Sequence, residues 1–558
     1  MKFSQVAEKF EELDSTQKTL EKTDILAELF SEAGDELPEV VLLATGQPFP
    51  SWKNMDLGVS SKTLVRIIAK ATGRGEDEIT QVWKEEGDLG DAAEQMVKKK
   101  TQQKLMTQEL TVERVVDRLQ KVAEMEAQGL SQSVDQDKKQ SELADLISSA
   151  EPLEARYLAR IIINNLRLGV AEGTIRDALA ETFFDGEHVE EIQRAYDFSN
   201  DFAEVARACK EGIDQVKSLQ LELYRPVNSM LAKKVETIEE GFEEVGKPAA
   251  IDYKYDGMRA QIHVKDGDVK VFTRRLEDVT EQFPDVVSAV EDNIDSENCI
   301  IDAEIVGYDP EDGGMIPFQK LSKRIKRKYE IQKLKQEIPV TVRPFDLIYL
   351  DEPILEEPYS ERWHRLGEVV EEEEKVMKLV DHAETEDPEQ VQEMQQRSLS
   401  KGHEGIMMKN LEAEYKPGNR VGYMVKLKPV METLDLAIVG AKWSEGRRSD
   451  WLGRLFLGCY DEESDEYLEV GKMATGLTDE QFQEITEKLK PLITEEDGRK
   501  VEVRPEVIVE VEYEEIQESP TYSSGYALRF PRMKQFREDK EEADSMEKIR
   551  NLYEDQEN

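Results

Sequence analysis

The sequence is short of cysteine, of histidine and of positive charge. Its 558 residues include three cysteines, Cys209, Cys299 and Cys459, far apart and with no CxxC pair among them. That argues against a cysteine-based structural zinc site and for a reducing compartment. No run approaches the roughly eighteen apolar residues of a membrane span, and the opening Met-Lys-Phe-Ser-Gln-Val-Ala-Glu-Lys-Phe lacks the apolar core of a signal peptide. A soluble, cytoplasmic monomer with no membrane partner is expected. Lysine and arginine number 74 against 121 aspartates and glutamates, a net charge of −47. Nucleic-acid binders usually carry a basic balance, so this deficit argues at first against one. A second reading is adaptation to molar salt, where the Debye length falls to roughly 3 Å and repulsion between carboxylates is screened. Net charge then leaves DNA open as a partner, and local Lys/Arg clusters carry more weight than the total.

What is present suffices for several folded domains. A hydrophobic fraction of 39% with 7% aromatics supports cores, and the length suggests three or four of them. Residues 1–220 read as helical. Ser60 or Ser61 caps a helix that turns Leu64, Ile67, Ile68 and Ala71 to one face and stops at Thr72-Gly73. Pro152 opens another that runs to Leu166-Arg-Leu-Gly169, and Thr174 caps the next. The turn between these two could offer backbone amides to a phosphate, or be an ordinary glycine cap. Lys98–Lys104 is a basic island best read as a linker, and residues 130–140 read as a loop. Near Leu221–Pro226 the pattern changes to short strands alternating with helices, and from about 430 it is β-rich.

The chemistry centres on Ile251-Asp-Tyr-Lys254-Tyr-Asp-Gly257-Met-Arg259, which sets a lysine beside a glycine turn between two strand-like runs. Alone, such a lysine reads as a solvated hairpin residue. As a nucleophile it must be neutral, which takes desolvation or a nearby cation such as Arg259 or a bound metal. Downstream, Glu304 sits within an apolar strand and Glu404 at the edge of another, each costly to bury unless paired or metal-bound. Phe345 stands beside Asp346, and cations recur at Arg274, Lys409, Arg420, Lys426, Lys428, Arg529 and Arg532. Together these meet the needs of attack on a nucleoside triphosphate: a nucleophile, metal ligands, a base-stacking ring and phosphate clamps.

Seven stretches fall in one order: Lys-Tyr-Asp-Gly-Met-Arg (254–259), Phe-Thr-Arg-Arg (272–275), Asp-Ala-Glu (302–304), Phe-Asp-Leu-Ile (345–348), Glu-Gly-Ile-Met-Met-Lys (404–409), Lys-Leu-Lys (426–428) and Leu-Arg-Phe-Pro-Arg (528–532). In this the chain closely resembles the ATP-dependent DNA ligases of the archaeal and eukaryotic replicative type, over essentially its whole length. Gly-Asp-Leu-Gly (87–90) and Leu-Arg-Leu-Gly-Val-Ala-Glu (166–172) are similar to that family's helical DNA-binding domain. The resemblance implies an all-α DNA-binding domain over 1–220, an α+β nucleotidyltransferase (adenylation) domain over 221–429 and a β-barrel OB-fold domain over 430–558. It implies ATP and Mg²⁺ as cofactors and nicked double-stranded DNA as partner. Lys254 would be the nucleophile, Asp252 and Phe345 would border the adenine, and Arg259 and Glu304 would hold the ribose. Arg274, Arg420, Lys426 and Lys428 would contact phosphates, Glu304 and Glu404 would bind Mg²⁺, and Arg529 and Arg532 would orient the leaving pyrophosphate. Two positions depart from the family: Asp252 stands where glutamate is usual, and Met424 where an aromatic is common. Gln103-Lys-Leu-Met106 is a degenerate form of a sliding-clamp-binding box, and the acidic composition suggests a halophilic source.

Overall fold

The computed structural model describes residues 1–558 except 54, 101–108, 128–132, 311–312, 326–330, 429–431, 445–449, 475, 541 and 558. The clamp-binding box and most of the basic island therefore lie outside the described residues. Among these residues no helix is long and apolar enough to cross a membrane. The chain divides into two compact units, Met1–Thr72 with Val97–Pro429, and Gly73–Met96 with Val430–Asn558.

Up to Ser218 the described elements are helical, apart from isolated bridges. The helix Ser61–Thr72 turns Leu64, Ile67, Ile68 and Ala71 inward, as its spacing predicts. Three expectations need correcting. The helix opened by Pro152 ends at Ile162, because Asn164 and Arg167 take left-handed backbone conformations that no helix continues through. Its successor begins at Glu172 with Ala171 as N-cap, leaving Thr174 buried inside the first turn. Residues 133–140, read as a loop from their polarity, begin the helix Ser133–Ser149. That helix is held by Leu143, Leu146 and Ile147 further along, so its first turns can stay polar.

Within the first unit, two sheets build the region after Leu221. Its strands are β1 (Lys233–Val235), β2 (Ala249–Tyr253), β3 (Met258–Lys265), β4 (Asp268–Thr273), β5 (Asn298–Tyr308), β6 (Met315–Ile316), β7 (Val340–Leu350), β8 (Glu352–Pro353), β9 (His382–Thr385), β10 (Ile406–Asn410) and β11 (Met424–Leu427). One sheet runs β1-β11-β10-β2-β9. The other runs β4-β3-β5-β7-β8, with β6 added to β5. The β1–β11 pair alone is parallel. Each sheet buries one face on helices. Ile251, Met408 and Val425 pack on Phe242, Val245 and Val391, while Ile301, Ala303 and Ile305 pack on Val286, Val290 and Leu366. The opposite faces meet where Met407 and Met424 pack with Ile300 and Ile348. Phe198 joins the helical region to the sheets by packing with Val227, Met230 and Ile348, and Arg194 pairs with Glu356 at 2.7 Å.

The second unit contains the strand-rich C-terminal region, with Leu434–Trp443 central in its sheet between Leu452–Asp461 on one edge and Ile508–Glu512 and Lys500–Val503 on the other. Helix Asp479–Leu489 starts on a Thr478–Gln481 capping box and buries Ile485 and Leu489 in the same core.

Candidate active site

Lys254 follows the last residue of β2, and Glu404 precedes β10. Their backbones are clasped reciprocally: the Lys254 amide donates to the Gly405 carbonyl at 2.9 Å, and the Glu404 amide donates to the Lys254 carbonyl at 2.9 Å. The two side chains form an ion pair, and Lys428, just beyond β11, reaches the other oxygen of Glu404 at 3.1 Å. Burial disfavours the charged carboxylate, but Lys254 and Lys428 outweigh it and hold Glu404 down to about 2. Gly405 makes the clasp possible. Its φ of +127° suits only glycine, and a Cβ there would collide with the Leu427 carbonyl oxygen. Gly405→Ala is expected to cost on the order of 2–4 kcal/mol in stability, which chemical denaturation checks.

The opposing sheet supplies Glu304 on β5, directly across from Arg259 on β3. Here burial, together with Glu404 and Asp256, outweighs Lys254 and Arg259 and pushes the Glu304 carboxyl up to about 8. A Cβ on Gly257 would lie 2.9 Å from the Glu304 Cγ, so that turn needs glycine to pass the strand. Arg259 donates to the Met230 carbonyl at 2.8 Å, to Asp302 at 2.7 Å and to the Tyr415 hydroxyl at 3.2 Å. Its guanidinium lies 5.2 Å from the Phe345 ring. Arg274 is lowered by burial and then by the charges of Arg259 and Arg420, with Glu304 opposing them. A cavity is lined by Met230, Arg259, Phe345, Lys409, Tyr415 and Met424; Lys254 lies outside its lining.

The structure thus joins Lys254 and Lys428 to Glu404, and Arg259 to Glu304 and Phe345, while Lys426 lies on the β11 register opposite Met407. Asp252 is placed differently. Its carboxylate is 2% exposed and sequestered by Lys409 at 2.6 Å and His382 at 2.7 Å. Burial opposes its ionisation, and Lys409 and then His382 overcome this and hold its pKa below the ordinary value. His382, Tyr359 and Tyr415 had no signal pointing to the site, because each reaches it from a distant part of the chain, and Asp302, inside the Asp-Ala-Glu motif, carried no sign of its bond to Arg259. Arg529 and Arg532 belong to the second unit, where Arg529 pairs with Glu515 at 2.9 Å.

Two facing sheets, one of them carrying a lysine–carboxylate clasp at the ends of its neighbouring strands β2 and β10, are the arrangement of a nucleotidyltransferase domain. Family models agree along the chain: DNA ligase N terminus over residues 2–180, ATP dependent DNA ligase domain over 229–428, and ATP dependent DNA ligase C terminal region over 448–540. The DNA ligase of Nanoarchaeum equitans is 42% identical over 568 residues, covering 99% of this chain and 98% of that protein. That of Thermococcus fumicolans is 42% identical over 560 residues, with 99% and 98% covered. A solved structure described as Pmar-Lig_Pre. shares the fold, with a TM-score of 0.62 at 17% identity, covering 96% of this chain and 99% of that one. The chain belongs to the ATP-dependent DNA ligases.

Proposed function

We propose that this ligase seals nicked double-stranded DNA through an adenylate carried on Lys254, and that residues 1–220, 221–429 and 430–558 serve as DNA-binding, adenylation and OB-fold domains. The lysine Nζ attacks the α-phosphorus of ATP, forming the P–N bond of a lysyl-adenylate as pyrophosphate leaves. An oxygen of the nick's 5′-phosphate then attacks the same phosphorus and releases the lysine. The 3′-hydroxyl finally attacks the activated 5′-phosphate, forming the phosphodiester and expelling AMP.

The observation that carries this reading is the Lys254–Glu404 clasp, with Glu304 and Arg259 paired across β5 and β3 of the opposing sheet. Phe345 borders the base, and Arg274, Arg420, Lys426 and Lys428 neutralise phosphate charge as it shifts in the transition state. The roles of Arg529 and Arg532 at the pyrophosphate rest on their motif alone. Glu304 and Glu404 fit Mg²⁺. Among the described residues no group of three or more His, Cys, Asp or Glu could hold a metal unaided, and Mg²⁺ characteristically takes one or two carboxylates with substrate phosphates completing its shell. When bound, the ion supplies positive charge at the α-phosphate and favours the neutral form of the nearby amine.

A singly nicked, 5′-phosphorylated duplex is expected to be sealed with ATP and Mg²⁺, and a nicked RNA duplex far less well. Preference for RNA would overturn the assignment. The acidic surface supports a second proposal, function at molar salt. With about six phosphate contacts, moving from roughly 0.1 M to 2 M salt costs about seven decades of DNA affinity, so encirclement by shape and apolar contact must carry more of the binding. Sealing is expected to hold or rise as KCl is added; a monotonic fall from low salt contradicts it.

A further inference from the structure

Phe345 occupies an irregularity in β7. Along the β5–β7 ladder Ala303 faces Pro344 and Asp302 faces Asp346, so Phe345 is the extra residue of a bulge. A bulge re-aims its side chain and leaves backbone groups outside the ladder, which must then find other partners. The Phe345 carbonyl finds two. It accepts from the Lys409 ammonium at 3.2 Å and from the Tyr359 hydroxyl at 3.3 Å. Lys409 is 4% exposed and spends its remaining protons on Tyr359, at 3.0 Å, and on Asp252, at 2.6 Å. A buried ammonium holds such a position only while its counter-ion is fixed.

Asp252 is fixed from the other side. Its Oδ1 is 2.7 Å from the His382 Nδ1, and the imidazole lies stacked on Trp363, centroids 4.1 Å apart and planes 25° apart. His382 and Asp252 are register partners across β9 and β2, so the side chains meet across adjacent strands of one sheet while Lys409 reaches to the other.

We infer that His382 is a positioning residue of the nucleotide site: through Asp252 and Lys409 it pins the Phe345 bulge and so sets the ring that borders the base. Asp252 then serves as the buried link of a relay. The inference rests on Phe345 being the base-bordering ring, as proposed above.

The test is self-adenylylation of the full chain with α-labelled ATP and Mg²⁺, over a range of ATP concentrations, for wild type, His382→Leu, His382→Asn and Tyr359→Phe. Asparagine keeps a donor near the place of Nδ1, and Tyr359→Phe removes one hydroxyl from the same carbonyl. His382→Leu is expected to raise the KM for ATP about tenfold, the scale of one hydrogen bond to a charged group. Its labelled fraction at saturating ATP should match wild type, His382→Asn should recover most of the affinity, and Tyr359→Phe should shift KM the same way by less. An unchanged KM with a reduced labelled fraction would mean that His382 only supports the fold, as would an asparagine variant no better than leucine. Should His382→Leu not fold, Tyr359→Phe with an unaltered KM overturns the relay on its own. Failure of wild type to label at all would instead sink the lysyl-adenylate reading, which separates the two.

Discussion

Lys254→Ala is expected to lose self-adenylylation by about four orders of magnitude or more, yet still to seal a nick that already carries AMP on its 5′-phosphate. In the proposed reaction the amine forms and breaks the P–N bond but has no part in the final attack by the 3′-hydroxyl. Removing it also leaves the site standing. Glu404 keeps Lys428 at 3.1 Å, and the backbone clasp between residues 254 and 404 involves no side chain. Composite sealing from ATP should therefore vanish while the last step survives. Loss of both activities with an unchanged melting profile would show that Lys254 serves something other than the nucleophilic step.

Glu304→Gln should separate stability from activity in the opposite sense. In the metal-free protein the Glu304 carboxyl is raised from 4.5 to about 8 by burial, with Glu404 and Asp256 adding to it. Below the unfolded value both states carry the proton and the residue is neutral in its effect. As pH rises from there to about 8, the unfolded chain ionises and the folded chain does not, so the wild type loses stability; above that both are ionised and the loss levels off. Glutamine imitates the protonated acid at every pH. The variant is therefore expected to match wild type near pH 4.5 and to gain on it by up to about 1 kcal/mol per pH unit toward pH 8, measured by denaturation in EDTA. Self-adenylylation with Mg²⁺ should fall by about a hundredfold or more. A variant less stable than wild type at pH 8 would contradict the burial-driven shift.

Much of the site was legible because its parts announce themselves locally. Lys254 and Glu404 each stand near a glycine that the backbone needs, and Glu304 is a carboxylate in an apolar strand, a placement with few explanations. The strand-rich region after residue 430 shows the alternation of half-buried strands. What stayed hidden depends on partners far along the chain. Asp252 looks like a pocket carboxylate from its motif, but its neighbours in space include His382, 130 residues away. Asp302 accepts from Tyr415, 113 residues away, so its part in holding Arg259 has no local mark. The helix Ser133–Ser149 was hidden for a different reason: its polar first turns carry no periodic signal, and its apolar anchors come later.

Everything proposed for this ligase depends on covalent adenylylation of Lys254. Incubation with α-labelled ATP and Mg²⁺, followed by proteolysis and mapping of the labelled peptide, tests it most directly. One acid-labile, base-stable adduct is expected on the peptide containing Lys254, discharged by pyrophosphate and by nicked DNA. Label on any other residue, or label retained by Lys254→Ala at wild-type level, would contradict it.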